Sequence, residues 1–276
     1  MARSSCSQPR RPATRLSSAS DIDEAARLLA AATRGVALTG AGISAESGIP
    51  TFRGPGGLWT QYDPIKVATI ENFMADPRSY WTVARERGPA VLAAQPNPGH
   101  YALVALQKAG RLVSVITQNT DGLHQDAGTE NVIELHGSGR TVECLDCGTR
   151  ESRGDVQRRL DFQMPPRCRI CGGMFLKPTA VFFGEAMPEG AVAEAQRLAT
   201  DADVMLVVGS SLVVFPAAEI PIIAARAGAP LIVINDEPTP IDRLAQVVIR
   251  GRSGEVLPEI AYKAVTSEGP APPADG

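Results

Sequence analysis

Residues 40–59 read GAGISAESGIPTFRGPGGLW and follow the apolar run Val36, Ala37, Leu38 and Thr39. A buried strand that ends on a glycine and turns into a helix presents backbone N–H groups to a phosphate. Gly40, Gly42 and Ala45 stand at the G-x-G-x-x-A spacing, where small residues permit a tight turn, close approach to a pyrophosphate and close helix packing. An ordinary glycine-rich turn in an α/β protein accounts for that spacing equally well.

Working outward, three more apolar runs read as buried parallel strands: 112–117, 204–208 and 231–234. Helical stretches lie between them, around 100–109, 189–199 and 217–227. This alternation predicts an α/β fold with a doubly wound, parallel, Rossmann-like sheet, in which ligands sit at the carboxyl ends of the strands. Gln118 to Asp121, Gly209 to Ser211 and Asn235 fall at such ends. Ser20 before Asp21, Asp23 and Glu24 predicts an N-capped helix that stops near Gly35. The proline- and aromatic-bearing segment from Pro50 to Asn97 reads as a long loop that covers cofactor. No acid is clearly placed after a second strand about 20 residues beyond the glycine turn, which argues against an ordinary hydride-transferring dehydrogenase.

The 276 residues, 44% of them hydrophobic, suffice for one large core plus a small module. A formal charge of −3 gives no basis for broad electrostatic binding of nucleic acid. No apolar run approaches the ~20 residues of a membrane span, and no secretory apolar region is evident, so a cytoplasmic protein without membrane partners is expected. The serine- and arginine-rich residues 1–20 read as a solvated tail, since Pro9 and Pro12 break the helix a transit peptide needs. A second such tail is expected at 266–276.

Four of the five cysteines form two pairs, Cys144-x-x-Cys147 and Cys168-x-x-Cys171, with a spacer in the roughly 15–20-residue range of zinc ribbons. Four thiolates make a closed tetrahedral site with no open position for water, so the metal holds structure and does no chemistry. Acidic residues offset the arginines around it, which disfavours a nucleic-acid-binding ribbon. The expected organisation is a dinucleotide-binding domain from 21–140 and 174–265, with a zinc-ribbon module at 141–173 inserted in it.

The string Ser47-Gly48-Ile49-Pro50-Thr51-Phe52-Arg53-Gly54 is longer than a dehydrogenase turn requires. After it come Gln118-Asn119-Thr120-Asp121-Gly122-Leu123-His124, Glu134-Leu135-His136-Gly137, the cysteine pairs, Val181-Phe182-Phe183-Gly184-Glu185, Gly209-Ser210-Ser211 and Val233-Ile234-Asn235. In these motifs, in their order over about residues 25–260, the chain resembles the sirtuin family of NAD-dependent protein-lysine deacylases, of bacterial type.

The resemblance implies NAD as co-substrate and one structural zinc. It implies His136 as the general base that deprotonates a ribose hydroxyl, a task suited to an imidazole near pKa 6.5. Asn119 and Asp121 join it as catalytic residues at the nicotinamide end, and His124 is structural. Implied NAD contacts are Gly40, Ala41, Gly42, Ser44, Ala45, Glu46, Thr51, Phe52, Arg53 and Trp59, then Gln118, Asn119, Thr120 and Asp121, then Gly209, Ser210, Ser211, Asn235, Asp236 and Ser253. Implied substrate contacts are His136, Val181, Phe182, Phe183, Gly184, Glu185 and Val213, with an extended acetyl-lysine peptide caught between two strand edges. The products are nicotinamide, acyl-ADP-ribose and free lysine. Mono-ADP-ribosyl transfer and longer-chain or acidic deacylation use the same scaffold, and a noncatalytic NAD sensor or nucleic-acid-binding module is a weaker alternative. An asparagine turn after a strand would also account for Asn119 and Asp121. Relatives that remove succinyl groups carry a Tyr-x-x-Arg pair whose positions here hold Ala84 and Arg87, so acetyl is expected to exceed succinyl by at least about tenfold.

Overall fold

The computed structural model describes residues 18–53 and 57–267. The expected tails lie mostly outside the described residues, and so does Gly54. At the amino end, Ser18 rather than Ser20 is the cap: its Oγ accepts from the Asp21 N–H, and the Asp21 carboxylate accepts from the Ser18 N–H. Helix α1 (Ala19–Ala31) therefore begins inside the segment read as tail. Reciprocal capping of this kind satisfies two orphan donors, which the lone serine reading overlooked.

Strand β1 (Gly35–Thr39) is buried at every position, and a 3₁₀ turn over Ala41–Ser47, not an α-helix, follows it. The segment 50–97 is mostly helical, with α2 (Pro64–Ala68), α3 (Ile70–Ala75) and α4 (Pro77–Ala93). Here the loop expectation fails because Pro64 and Pro77 sit at helix starts, and Pro89 is accommodated within α4. Asp63 and Asp76 precede Pro64 and Pro77, and each carboxylate accepts a backbone N–H of the turn it opens, at 3.0 Å. Proline at the first helical position loses nothing, because its missing N–H would be unpaired there.

Helix α5 (Pro98–Lys108), β2 (Leu112–Thr117), α6 (Leu123–Ala127) and β3 (Val132–Glu134) follow. The chain then enters a small antiparallel sheet of β4 (Thr141–Cys144) and β5 (Arg150–Ser152), passes through α7 (Arg153–Arg159), and closes that sheet with β6 (Leu176–Pro178). It returns as α8 (Glu189–Asp201), β7 (Val204–Val208), α9 (Ile220–Arg226), β8 (Leu231–Ile234), β9 (Val247–Ile249) and α10 (Ser253–Thr266).

The large sheet has the order β3-β2-β1-β7-β8-β9, and every pairing is parallel. Its two faces follow from the period-2 alternation of buried strands. Ala37, Val115, Leu206 and Ile232 pack with α1, α5 and α10, whereas Val36, Leu38, Met205 and Val233 pack with α8 and α9. From β1 the chain builds first towards β2 and β3 and later, from β7, in the opposite direction. The switch point thus lies at the carboxyl ends of β1 and β7. A third core joins α3 and α4 to the small sheet. Trp81 is fully buried there among Phe73, Val142, Val156, Leu176 and Phe182, and its Nε1–H donates to the Leu176 carbonyl at 3.0 Å.

Candidate active site

At the switch point two glycine loops touch. A Cβ on Gly40 would stand 2.8 Å from the Gly209 oxygen, and one on Gly42 would stand 2.6 Å from the Gly209 Cα, so neither loop tolerates a side chain there. The Gly42 N–H donates to the Gly209 carbonyl at 2.8 Å. A cleft of about 1320 Å³ opens from this contact and reaches Arg140, Arg153 and Ala180, which flank the small sheet.

Of the NAD contacts implied by the sequence, all but Ser253 line this cleft. Ser253 is buried at the start of α10 with its Oγ 3.4 Å from the Gly42 carbonyl, behind the wall; its neighbour Arg252 lines the cleft in its place. Phe52 stacks on Trp59 with ring centroids 5.3 Å apart, and Trp59 meets Phe183 at 6.4 Å, forming an aromatic wall from the glycine-rich segment to the opposite side. Gln118 Nε2 donates to Ser210 Oγ at 2.8 Å, tying the ends of β2 and β7 together.

Asn119 is buried, and its Nδ2 donates to the Gly40 carbonyl and to Ser44 Oγ, both at 3.1 Å, so the acceptor it can offer is Oδ1. Asp121 accepts from Ser44 Oγ at 2.7 Å and from the Leu123 N–H at 2.9 Å. The turn-forming role of Asp121 is therefore present alongside its place in the cleft wall.

His136 follows β3 directly. Its Nδ1 lies 2.9 Å from the Gln118 carbonyl oxygen, which can only accept; Nδ1 therefore carries the proton and Nε2 keeps a lone pair. Burial pushes its pKa below 6.5, with the Gln118 contact opposing. The imidazole is thus neutral and able to take a proton at neutral pH. His124 and His100 are buried with ring centroids 5.0 Å apart, and His124 Nε2 lies 2.9 Å from Thr39 Oγ1, a structural position.

Val181 to Glu185 line the cleft, yet no strand forms among them. The Phe183 N–H and carbonyl are already paired, with Ala68 O at 2.8 Å and the Ile70 N–H at 3.0 Å. The Glu185 carboxylate turns to Lys177 at 2.7 Å, so its side chain faces the small sheet. Val213 is exposed and off the cleft wall, which Val214 and Phe215 form instead.

Sequence reasoning missed Tyr80, Val83, Arg140, Arg153 and Glu237 in the wall. Helical periodicity would have found the first two, since they share a face of α4 with Ala84, Arg87 and Gly88. Nothing local marks Arg153, whose guanidinium reaches from α7 to the Ala84 carbonyl at 3.1 Å and lies 5.0 Å from the Trp81 ring. Arg87 and Arg153 each keep a buried Nη1 without a hydrogen-bond partner.

The four paired cysteines converge, with all four Sγ atoms within 4.8 Å of one another. Contacts of 3.6 Å for Cys144–Cys171 and 3.7 Å for Cys147–Cys168 approach the ~3.8 Å edge of a tetrahedron with ~2.3 Å zinc–sulfur bonds. Burial pushes the Cys144 thiol up to about 12, a penalty that a dication reverses by binding the thiolate. The residues fit zinc.

A parallel sheet with a cleft at its switch point, glycine loops on both flanks and a neutral histidine at the far end defines a dinucleotide-using enzyme. The Sir2 family model matches residues 40–216. The NAD-dependent protein deacylase 2 of Archaeoglobus fulgidus is 49% identical over 240 residues, 87% of this chain and 94% of that protein. The NAD-dependent protein deacetylase of Sulfurisphaera tokodaii is 45% identical over 86% of this chain and 94% of its own. A Sir2 structure with a deacetylated p53 peptide and 3′-O-acetyl ADP-ribose superposes with a TM-score of 0.84 at 38% identity, covering 88% of this chain and 98% of that one. The chain belongs to the Sir2 family.

Proposed function

We infer that the cleft binds NAD and the acylated side chain of a protein lysine together, with His136 as the base. The chain is an NAD-dependent protein-lysine deacylase, releasing nicotinamide, acyl-ADP-ribose and free lysine. The observation that carries the catalytic assignment is the Nδ1 contact of His136 with the Gln118 carbonyl, which leaves Nε2 unprotonated in the cleft wall. In this reading Nε2 takes the proton of a ribose hydroxyl, Asn119 Oδ1 accepts from the nicotinamide carboxamide, and Gly209 to Ser211 with Asn235 and Asp236 hold the adenosine side. The apolar wall around Phe52 and Trp59 excludes water from the reacting carbon. Acetyl-lysine is the substrate we assign. Zinc, held by Cys144, Cys147, Cys168 and Cys171, supplies structure only.

We assign the dinucleotide-binding unit to 21–140 and 174–265 and the metal module to 141–173, and place the enzyme in the cytoplasm, away from nucleic acid. Support comes from the charge of −3 and from a four-thiolate site that needs reducing conditions. No described helix is long and apolar enough to cross a membrane. Mass spectrometry of an acetyl-lysine peptide incubated with enzyme and NAD tests the reading. Free lysine with acetyl-ADP-ribose supports it, and a peptide that gains ADP-ribose while keeping its acetyl group contradicts it.

A further inference from the structure

We propose that Lys177 and Glu185 are a positioning pair that holds the substrate-facing segment 180–185 against the base. Lys177 is 5% exposed, and its three ammonium N–H groups all have partners: the Pro178 carbonyl at 3.1 Å, the Ala180 carbonyl at 2.8 Å and Glu185 Oε2 at 2.7 Å. The Phe182 ring covers the same ammonium at 4.4 Å. Glu185 Oε2 accepts in addition from the Phe182 N–H at 2.7 Å. The segment is thus wound around one buried charge, with its near end, its middle and its far end all tied to it.

What that segment touches gives the pair its role. The Val181 N–H donates to the His136 carbonyl at 2.8 Å, and Phe183 presents its ring to Trp59. On the other side, Lys177 lies in β6 opposite Glu143, and its neighbour Leu176 pairs with the metal ligand Cys144. A continuous path of bonded groups therefore joins the thiolate site to the backbone of the base through Lys177. A buried ammonium needs its anion, so removing the carboxylate charge loosens the segment more than the remainder of the fold. Glu185 acts on substrate through Phe182 and Phe183, not by direct contact.

The proposal rests on the reading that the cleft binds an acyl-lysine peptide; hydrogen exchange at 180–185 reads the pair independently of it. Zinc-loaded Glu185→Gln should be compared with the native chain by anisotropy of a fluorescent acetyl-lysine peptide, by calorimetric NAD binding and by amide hydrogen exchange. Expected are peptide affinity weakened at least about tenfold, NAD affinity within about twofold, one zinc per chain, and faster exchange confined to 180–185. Glu185→Asp, which keeps the charge at shorter reach, should recover part of the affinity, and Lys177→Met combined with Glu185→Gln should be no worse than Lys177→Met alone. Unchanged peptide affinity with unchanged exchange at 180–185 would overturn the proposal. So would equal weakening of peptide and NAD with faster exchange across β1 and β2, the mark of a merely structural ion pair. Native enzyme that binds peptide but does not deacylate it contradicts the assigned function and leaves the pair to be judged on binding and exchange.

Discussion

The Nδ1 of His136 lies 2.9 Å from the backbone carbonyl oxygen of Gln118, the first residue after the strand that ends at Thr117. That single contact sets the tautomer, and burial sets the pKa below 6.5. The base is deprotonated above this range and protonated below it. kcat/KM for an acetyl-lysine peptide should stay level from pH 8 down through the ordinary imidazole range and fall only at more acid pH. A pH–rate profile with its acid limb centred above pH 7 would contradict this.

Loss of the metal should reach the cleft, because Cys144 belongs both to the thiolate site and to the core that holds Trp81 and Phe182. Cys144→Ser, or treatment with a strong chelator, should lower zinc content, near-UV circular dichroism and turnover together. Elemental analysis showing fully active protein without zinc would contradict the structural assignment.

His100 and His124 make the fold acid-sensitive. Burial lowers His100 to about 4, against a smaller opposing effect of Asp121, and lowers His124 to about 3, helped by His100. Below pH 6.5 the unfolded chain binds protons that the folded chain excludes. The stability these groups confer is therefore complete above pH 6.5 and lost as pH falls towards 4. His100 alone accounts for roughly 3 kcal/mol over that window at 1.36 kcal/mol per unit. Urea unfolding should show at least about 2 kcal/mol less stability at pH 5 than at pH 7, and His124→Gln should flatten the slope. Equal stability at the two pH values would show that these rings are not neutral and buried.

The acetyl preference of at least about tenfold expected from the tyrosine missing at Ala84 meets a second guanidinium in the cleft wall, that of Arg153. Arg87 and Arg153 line the same cleft, each with a buried Nη1 that has no hydrogen-bond partner. A succinyl carboxylate would find two guanidinium groups there. Native kcat/KM for succinyl-lysine should lie within about tenfold of that for acetyl-lysine, and Arg87→Met should cost the succinyl substrate at least about tenfold more than the acetyl one. Equal losses on both substrates would remove Arg87 from acyl recognition.

The parallel sheet was legible because β1, β2, β7 and β8 are continuous apolar runs, and the thiolate site because its spacing repeats. The base was legible only through the motif around it, since a lone histidine at a strand end carries no such signal. What escaped reading depended on partners distant in sequence. Pro64 and Pro77 look like loop residues until Asp63 and Asp76 are recognised as caps. Arg153 and Lys177 give no sign that they are buried, because α4 and Phe182, which cover them, lie elsewhere in the chain. Ser253 and Val213 stand one position from residues that line the cleft, a matter of side-chain direction that the sequence does not show.

His136 is assigned as the base that acts on the ribose after NAD is held. That role is tested most directly by following release of free lysine from an acetyl-lysine peptide by native enzyme and by His136→Ala, each with and without NAD. Turnover by the native enzyme is expected only when NAD is present, with a fall of at least about 10²-fold in the variant and NAD binding by the variant within a few-fold of native. Near-native turnover by His136→Ala, or release of lysine without NAD, would contradict it.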